Sequence, residues 1–337
     1  MELYLDSADL KEIEEACSLG FLSGLTTTPT FMHRGGVTNV DDMVIRLSHM
    51  VPVLQIEALG ETADAIVKEA HRQLALGLDP QKTVFKIPVS LEGVKACYRL
   101  RQEGLLVNVH LVYTLQQAYM AMAAGATYVC PLVGRLQDQG HDALQLVRQC
   151  VHVAERYHYA TKIMFSSVRN VEHVRNAMNI GVHTITVPWK LMKVLTENSF
   201  TTIGTQQFFE HTRLLTTRVK DVIKAYNPVV DAGSSLNEAL VKMTESGFGS
   251  VVVTNGNGHV LGVFTDGDLR RKLQEEGRNV LNHKMGDFEY REPYSIDGDS
   301  LLNDALQLFK TSNVDNLLVM DGGHPIGMLD IQDVQPL

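Results

Sequence analysis

The chain has 337 residues, 45% of them hydrophobic, and a formal net charge of -9. That length and apolar content supply ordinary globular cores and exclude a disordered chain, while the acidic balance, with no clustered basic patch, excludes a nucleic-acid surface and leaves room for small anions held by local cations. Cys17, Cys97, Cys130 and Cys150 show no metal-ligand spacing, no stretch approaches the roughly 20 apolar residues of a membrane span, and the opening MELYLDSADL lacks a basic, secretory-type start. A soluble protein of the cytoplasm is expected, with no nucleic-acid or membrane partner.

Short apolar or β-branched runs at 3–6, 24–27, 53–58, 84–88, 107–111, 128–133, 162–167 and 184–188 predict eight strands. Between them, 61–76, 91–102, 115–124, 142–155 and 171–179 carry apolar residues at helical spacing. Eight strand-helix repeats predict an α/β fold of the (β/α)8 TIM-barrel type, with a doubly wound sheet as the competitor. Helical stretches at 189–197 and 205–214 are expected to close the barrel or pack on a neighbouring subunit. From about residue 219 the chain repeats itself, 234–268 against 300–333, each copy reading helix, strand, glycine turn, strand. Gly262 and Asp268 in the first copy match Gly327 and Asp333 in the second, and the joint at 274–287 is charged and expected to be partly helical.

The run TVFKIPVS sets Lys86 inside an apolar strand, where lysine is rarely found. Burial penalises the ammonium form and favours a nucleophilic amine able to form a Schiff base with a carbonyl substrate. The alternative is an edge-strand lysine whose stem reaches solvent. In a barrel, chemistry gathers at the C-terminal ends of the strands, and the polar residues that end these runs are Asp6, Thr26 to Thr28, Glu57, Lys86, Asn108 with His110, Arg135, and Ser167 with Arg169. The lone acids could also serve as strand-end ion pairs or helix caps, and Arg135 could bond Asp138 in its own loop.

LYLDS at 3–7, GLTTTPT at 24–30, IEA at 56–58, VFKIPVS at 84–90, PLVGR at 131–135 and SSVR at 166–169 resemble, in order and spacing, the small transaldolase and fructose-6-phosphate aldolase family. The resemblance covers residues 1–215. It implies that Lys86 forms an imine with the ketone of a sugar phosphate, that Asp6 exchanges a proton with the substrate hydroxyl whose loss breaks the carbon–carbon bond, and that Glu57 works through a water in imine formation. It further implies substrate contacts by Thr26, Thr28 and Asn108, a phosphate site at Arg135, Ser167 and Arg169, and no cofactor or metal for catalysis. Thr28 stands where the family has asparagine and His110 where it has threonine, while Cys130 replaces a common serine. Histidine titrates near neutral pH, so His110 either relays protons with Glu57, fills substrate space or is structural.

The repeat resembles a tandem cystathionine-β-synthase (CBS) pair, most closely the tail of arabinose-5-phosphate isomerases, through GVFTDGDLRR at 262–271. This implies an adenosine or other nucleotide effector touching Thr265 and Asp268. In the second copy Asp330 departs from the usual threonine or serine although Asp333 is kept, which implies one intact site; a purely structural pairing is the alternative. The expected organisation is a barrel with C-terminal helices over 1–216 and a CBS pair over 217–337, its halves at about 219–276 and 283–337. The expected function is a Schiff-base transaldolase or aldolase of pentose-phosphate-type carbohydrate metabolism, acting on a phosphorylated ketose, homo-oligomeric and tuned by the CBS pair. The alternatives are a catalytically altered sugar-phosphate sensor, or a specialised aldolase or isomerase of cell-surface sugar synthesis.

Overall fold

The structure, a computed structural model, describes residues 1–223 and 228–334. Its contacts divide the chain into two compact units, Met1–Glu197 and Asn198–Leu337. The first unit is a closed barrel of eight parallel strands in sequence order: β1 (Glu2–Asp6), β2 (Gly24–Thr26), β3 (Leu54–Glu57), β4 (Thr83–Pro88), β5 (Leu106–Val112), β6 (Tyr128–Pro131), β7 (Lys162–Phe165) and β8 (Thr184–Val187). Closure by β1 pairing with β8 rules out the doubly wound alternative.

The period-2 alternation of a strand explains what fills the barrel. Leu5, Leu25, Ile56, Phe85, Ile87, Val107, Val129, Phe165 and Ile185 point outward into the main core shared with the surrounding helices. The alternate residues point inward and form two layers. The lower one includes Tyr4, Val84, Tyr128 and Met164, packed together, with Tyr4 and Tyr128 hydroxyls 3.2 Å apart and Asn108 donating to Gln55 Oε1 at 2.7 Å. The layer above it is Asp6, Thr26, Glu57, Lys86, His110, Cys130, Ser166 and Thr186. Registers Asp6↔Thr26, Glu57↔Lys86 and Pro88↔His110 hold these residues at the C-terminal ends of the strands.

The helices start where short polar side chains cap them. Thr28, Thr62, Ser90, Thr114, Asp142 and Asn170 each accept a backbone N–H from the first turn of the helix that follows. Val133, read from the sequence as the end of a strand, instead opens a helix, Val133–Asp138. After β8, Trp189 and Met192 bury in the main core, and Trp189 Nε1 donates to Glu15 at 2.7 Å.

In the second unit the Ser199–Thr216 helix precedes the repeat and puts Leu214 into the core of the second copy, with Val219, Leu302, Phe309 and Val319. Each copy is a three-stranded sheet: β9 (Val229–Asp231), β10 (Ser250–Thr254) and β11 (Val260–Thr265) in the first, β12 (Ser295–Asp297), β13 (Asn316–Asp321) and β14 (His324–Asp330) in the second. The two copies break register at equivalent places, Val253/Thr254 and Val319/Met320. Phe248, Val252, Leu318 and Met328 form a cluster that joins the copies. Gly262 and Gly327 are equivalent close-approach points: a Cβ at the first would run into Tyr290, and at the second would crowd Ile223. The joint holds two short 3-10 turns, Gly277–Asn282 and Met285–Asp287.

Candidate functional site

The upper layer of the barrel forms the floor of a cavity of about 760 Å³. Lys86 is 5% exposed. Its Nζ lies 2.9 Å from Glu57 Oε1 and donates to the Thr27 carbonyl at 2.8 Å. The other oxygen of Glu57 lies 2.8 Å from His110 Nε2, close enough for an electrostatic contact though not aligned as a hydrogen bond, so one carboxylate faces both the amine and the imidazole. Asp6 reaches the same cavity from β1. It accepts a hydrogen bond from Thr26 Oγ1 at 2.8 Å, and Thr26 is bonded in turn to Thr186.

Burial pushes the Asp6 carboxyl above its ordinary value, only partly offset by the Lys86 charge and the Thr26 hydroxyl. Burial acts the same way on Glu57, but the Lys86 charge and the His110 contacts outweigh it and leave that carboxyl below its ordinary value. Burial also lowers His110, against the pull of Glu57 and reinforced by Lys86 and Arg135, so the imidazole is held neutral further into acid than usual. The site therefore presents an ionised Glu57, a neutral imidazole, and an Asp6 whose carboxyl titrates nearer the working pH. Cys130, on the same layer, is pushed up to about 11 by burial and stays a thiol.

Backbone geometry shapes the rim. Leu111 sits at φ 56° and Ser167 at φ 57°, both in the left-handed region that a side chain other than glycine occupies only at a cost. Leu111 falls in the stretch where the β5–β6 register slips, between Val109 and Val112, and this kink follows directly on His110. Arg135, Ser167 and Arg169 stand at the mouth, as do Arg34 and Lys190. Asp138 pairs with Arg169 at 3.0 Å, not with Arg135 as the loop sequence allowed.

Of the residues singled out from the sequence, Asp6, Thr26, Thr28, Glu57, Lys86, His110, Arg135, Ser167 and Arg169 all line this one cavity. Asn108 does not, because the two-residue period places it one layer beneath His110. Thr28 does double duty as the cap of the Pro29–Arg34 helix, accepting from Phe31 N at 3.3 Å. Thr186 and Ser166 were missed. Both could have been found by stepping two residues along each strand from the residue already pointing inward.

A second cavity, of about 980 Å³, lies within the second unit and is lined by residues that include Thr265, Asp268, Phe264, Phe288 and Tyr290. Thr265 caps the Asp266–Glu276 helix and exchanges hydrogen bonds with Asp268, which also pairs with Arg271. Asp333 is not in that lining: its carboxylate accepts from Asp330 N at 3.3 Å and its carbonyl from Arg213 Nη2 at 2.6 Å.

Residues 3–232 match the family model for transaldolase/fructose-6-phosphate aldolase. The chain belongs to this transaldolase/fructose-6-phosphate aldolase family. Residues 219–275 and 285–335 match the CBS domain model, so a transaldolase-family barrel is followed by a tandem CBS pair. A probable transaldolase of Syntrophobacter fumaroxidans is 37% identical over 214 residues, 62% of this chain and 96% of its own length. One of Coprothermobacter proteolyticus is 38% identical over 208 residues, 62% and 94% of the two lengths. Among solved structures, a CBS-domain containing protein of Agrobacterium tumefaciens aligns with 35% of this chain and 90% of its own at 24% identity and a TM-score of 0.31. No helix among the described residues of this family member is long and apolar enough to cross a membrane.

Proposed function

We propose that the barrel is a Schiff-base aldolase or transaldolase acting on a phosphorylated ketose, and that Lys86 is its nucleophile. The observation that carries this reading is a buried lysine whose amine touches a carboxylate that faces a neutral imidazole, in a cavity that also holds a second carboxylate of raised pKa. Lys86 must lose a proton before it attacks; Glu57 accepts it from the ammonium, and the neutral His110, whose Nε2 faces the other carboxylate oxygen and so carries the ring hydrogen, holds Glu57 in place. The amine adds to the ketone carbon, and Glu57 returns the proton to the departing hydroxyl as the carbinolamine loses water to give a protonated imine. Asp6 then removes the proton of the hydroxyl on the second carbon beyond the imine. The carbon–carbon bond breaks, an aldehyde leaves, and the bonding electrons pass into the iminium to form an enamine. That enamine either gains a proton and is hydrolysed, which is aldolase activity, or adds to a second aldehyde, which is transaldolase activity.

Arg135, Ser167 and Arg169 would hold the substrate phosphate at the mouth, guanidinium forks matching its oxygens. The cleft of the CBS pair, with the Thr265 hydroxyl, Asp268 and the rings of Phe288 and Tyr290, would take an adenosine nucleotide as effector. Incubation with fructose 6-phosphate, with and without erythrose 4-phosphate, tests the first part. Release of glyceraldehyde 3-phosphate that disappears in Lys86→Ala supports it, and dependence on the acceptor separates transaldolase from aldolase. Undiminished release by Lys86→Ala would remove Lys86 from the mechanism.

A further inference from the structure

His173 is nowhere in the catalytic layer, yet it is almost fully buried between the two chain segments that end at the mouth of the cavity. It lies in the first turn of the Val171–Ile180 helix, capped by Asn170, and its ring meets Phe165 of β7 edge-on with centroids 5.9 Å apart. Both ring nitrogens are engaged. Nδ1 accepts the backbone N–H of Arg169 at 3.2 Å, and an acceptor there carries no proton. Nε2 therefore holds the ring hydrogen and donates it to Gln137 Oε1, 2.6 Å away. Arg169 belongs to the loop after β7; Gln137 belongs to the Val133–Asp138 helix after β6, two residues beyond Arg135.

The same two segments touch at three further points. Val133 N donates to the Ser166 carbonyl at 3.1 Å. Asp138 pairs with Arg169 at 3.0 Å. Gly134 lies so close to the Ser167 carbonyl and the Arg169 stem that a Cβ there would collide with both. Of these links, only the His173 ring is an interior group bonded to both loops at once.

We infer that His173 and Gln137 form a clamp that fixes the spacing of Arg135 and Arg169, and so sets the affinity of the cavity for a phosphate dianion. The clamp rests on the reading of Arg135 and Arg169 as phosphate ligands. His173 is a positioning residue: it touches neither the phosphate nor the reacting carbons. Two cations converge on one anion only if their backbones are held at a fixed separation, because a bidentate guanidinium contact loses its geometry over a fraction of an ångström.

The test measures the dissociation constant of inorganic phosphate by calorimetry, with KM and kcat for fructose 6-phosphate alongside, in the full-length protein. Gln137 is exposed, so Gln137→Leu removes the acceptor without touching the core. His173→Asn keeps an acceptor for Arg169 N–H but loses the donor to Gln137. The expected result is a three- to tenfold weaker phosphate affinity and a matching rise in KM for Gln137→Leu and His173→Asn, with kcat within twofold. The double variant should be no weaker than either single one. Arg135→Ala is the control that separates the two readings. If it weakens phosphate while Gln137→Leu and His173→Asn do not, or if these two effects simply add, the clamp is wrong and the phosphate site stands. If Arg135→Ala itself leaves phosphate affinity unchanged, the phosphate reading fails and the clamp with it.

Discussion

Burial raises both Asp6 and Glu57, and the opposite outcomes at the two carboxyls follow from what each one faces. Glu57 lies against both Lys86 and His110, whereas Asp6 has only the Lys86 charge and one hydroxyl to set against the same burial. For Asp6 the folded value exceeds the unfolded 3.8, so keeping it ionised in the native state costs stability that appears as pH rises through the folded value. Asp6→Asn should therefore lose cleavage activity at least a hundredfold while its melting temperature at pH 7–8 equals or exceeds that of the parent, an advantage that vanishes below about pH 3.8; thermal scans across pH check this. His110 acts with the other sign. Its folded value lies below 6.5, so between the two values the unfolded chain binds the extra proton and stability falls as pH drops through 6.5. His110→Asn should flatten that part of the melting curve against pH and lower kcat by about tenfold to a hundredfold. Thr28→Asn keeps a good helix cap, so its stability should change by less than about 0.5 kcal/mol, while the added amide lowers KM for dihydroxyacetone donors. An unchanged KM would show that Thr28 does not face the donor.

At the level of elements, the chain is legible where the period is long and repeated. Eight apolar runs with helical spacers read as a barrel with a doubly wound sheet as the competitor, which the β1–β8 pairing decides, and residues such as Lys86 and Asp6 stand out because a polar side chain on an inward strand position has to be explained. Asn108 reads as a cavity residue because the run VNVHL marks both Asn108 and His110 as inward without saying which meets the opening; in the structure the Asn108 amide is spent on Gln55, while His110 lines the cavity. β9 and β12 were missed because three residues are too few for alternation to show. Val133 reads as a strand end because it continues an apolar run, and only its position behind the β6–β7 pair turns it into a helix start. The tight docking at Gly134 leaves no room for a methyl group, so Gly134→Ala should cost about 1–3 kcal/mol by forcing the Ser167 carbonyl aside. Chemical denaturation would measure that loss, and an unchanged midpoint would show that the loop yields freely.

At the scale of the whole chain, the barrel and the CBS pair each have their own cores, with the cores of the second unit drawn entirely from residues 214–334. Scanning calorimetry should resolve two unfolding transitions, and an adenosine nucleotide bound in the CBS cleft should raise one of them by mass action; a single transition, unmoved by nucleotide, would contradict this. The central claim, that Lys86 forms an imine with a ketose, is tested most directly by borohydride reduction in the presence of fructose 6-phosphate or dihydroxyacetone, followed by intact mass and peptide mapping. The account predicts an adduct of dihydroxyacetone size confined to the peptide bearing Lys86 and absent from Lys86→Ala. No adduct with either donor in folded protein, or an adduct that persists in Lys86→Ala, would contradict it.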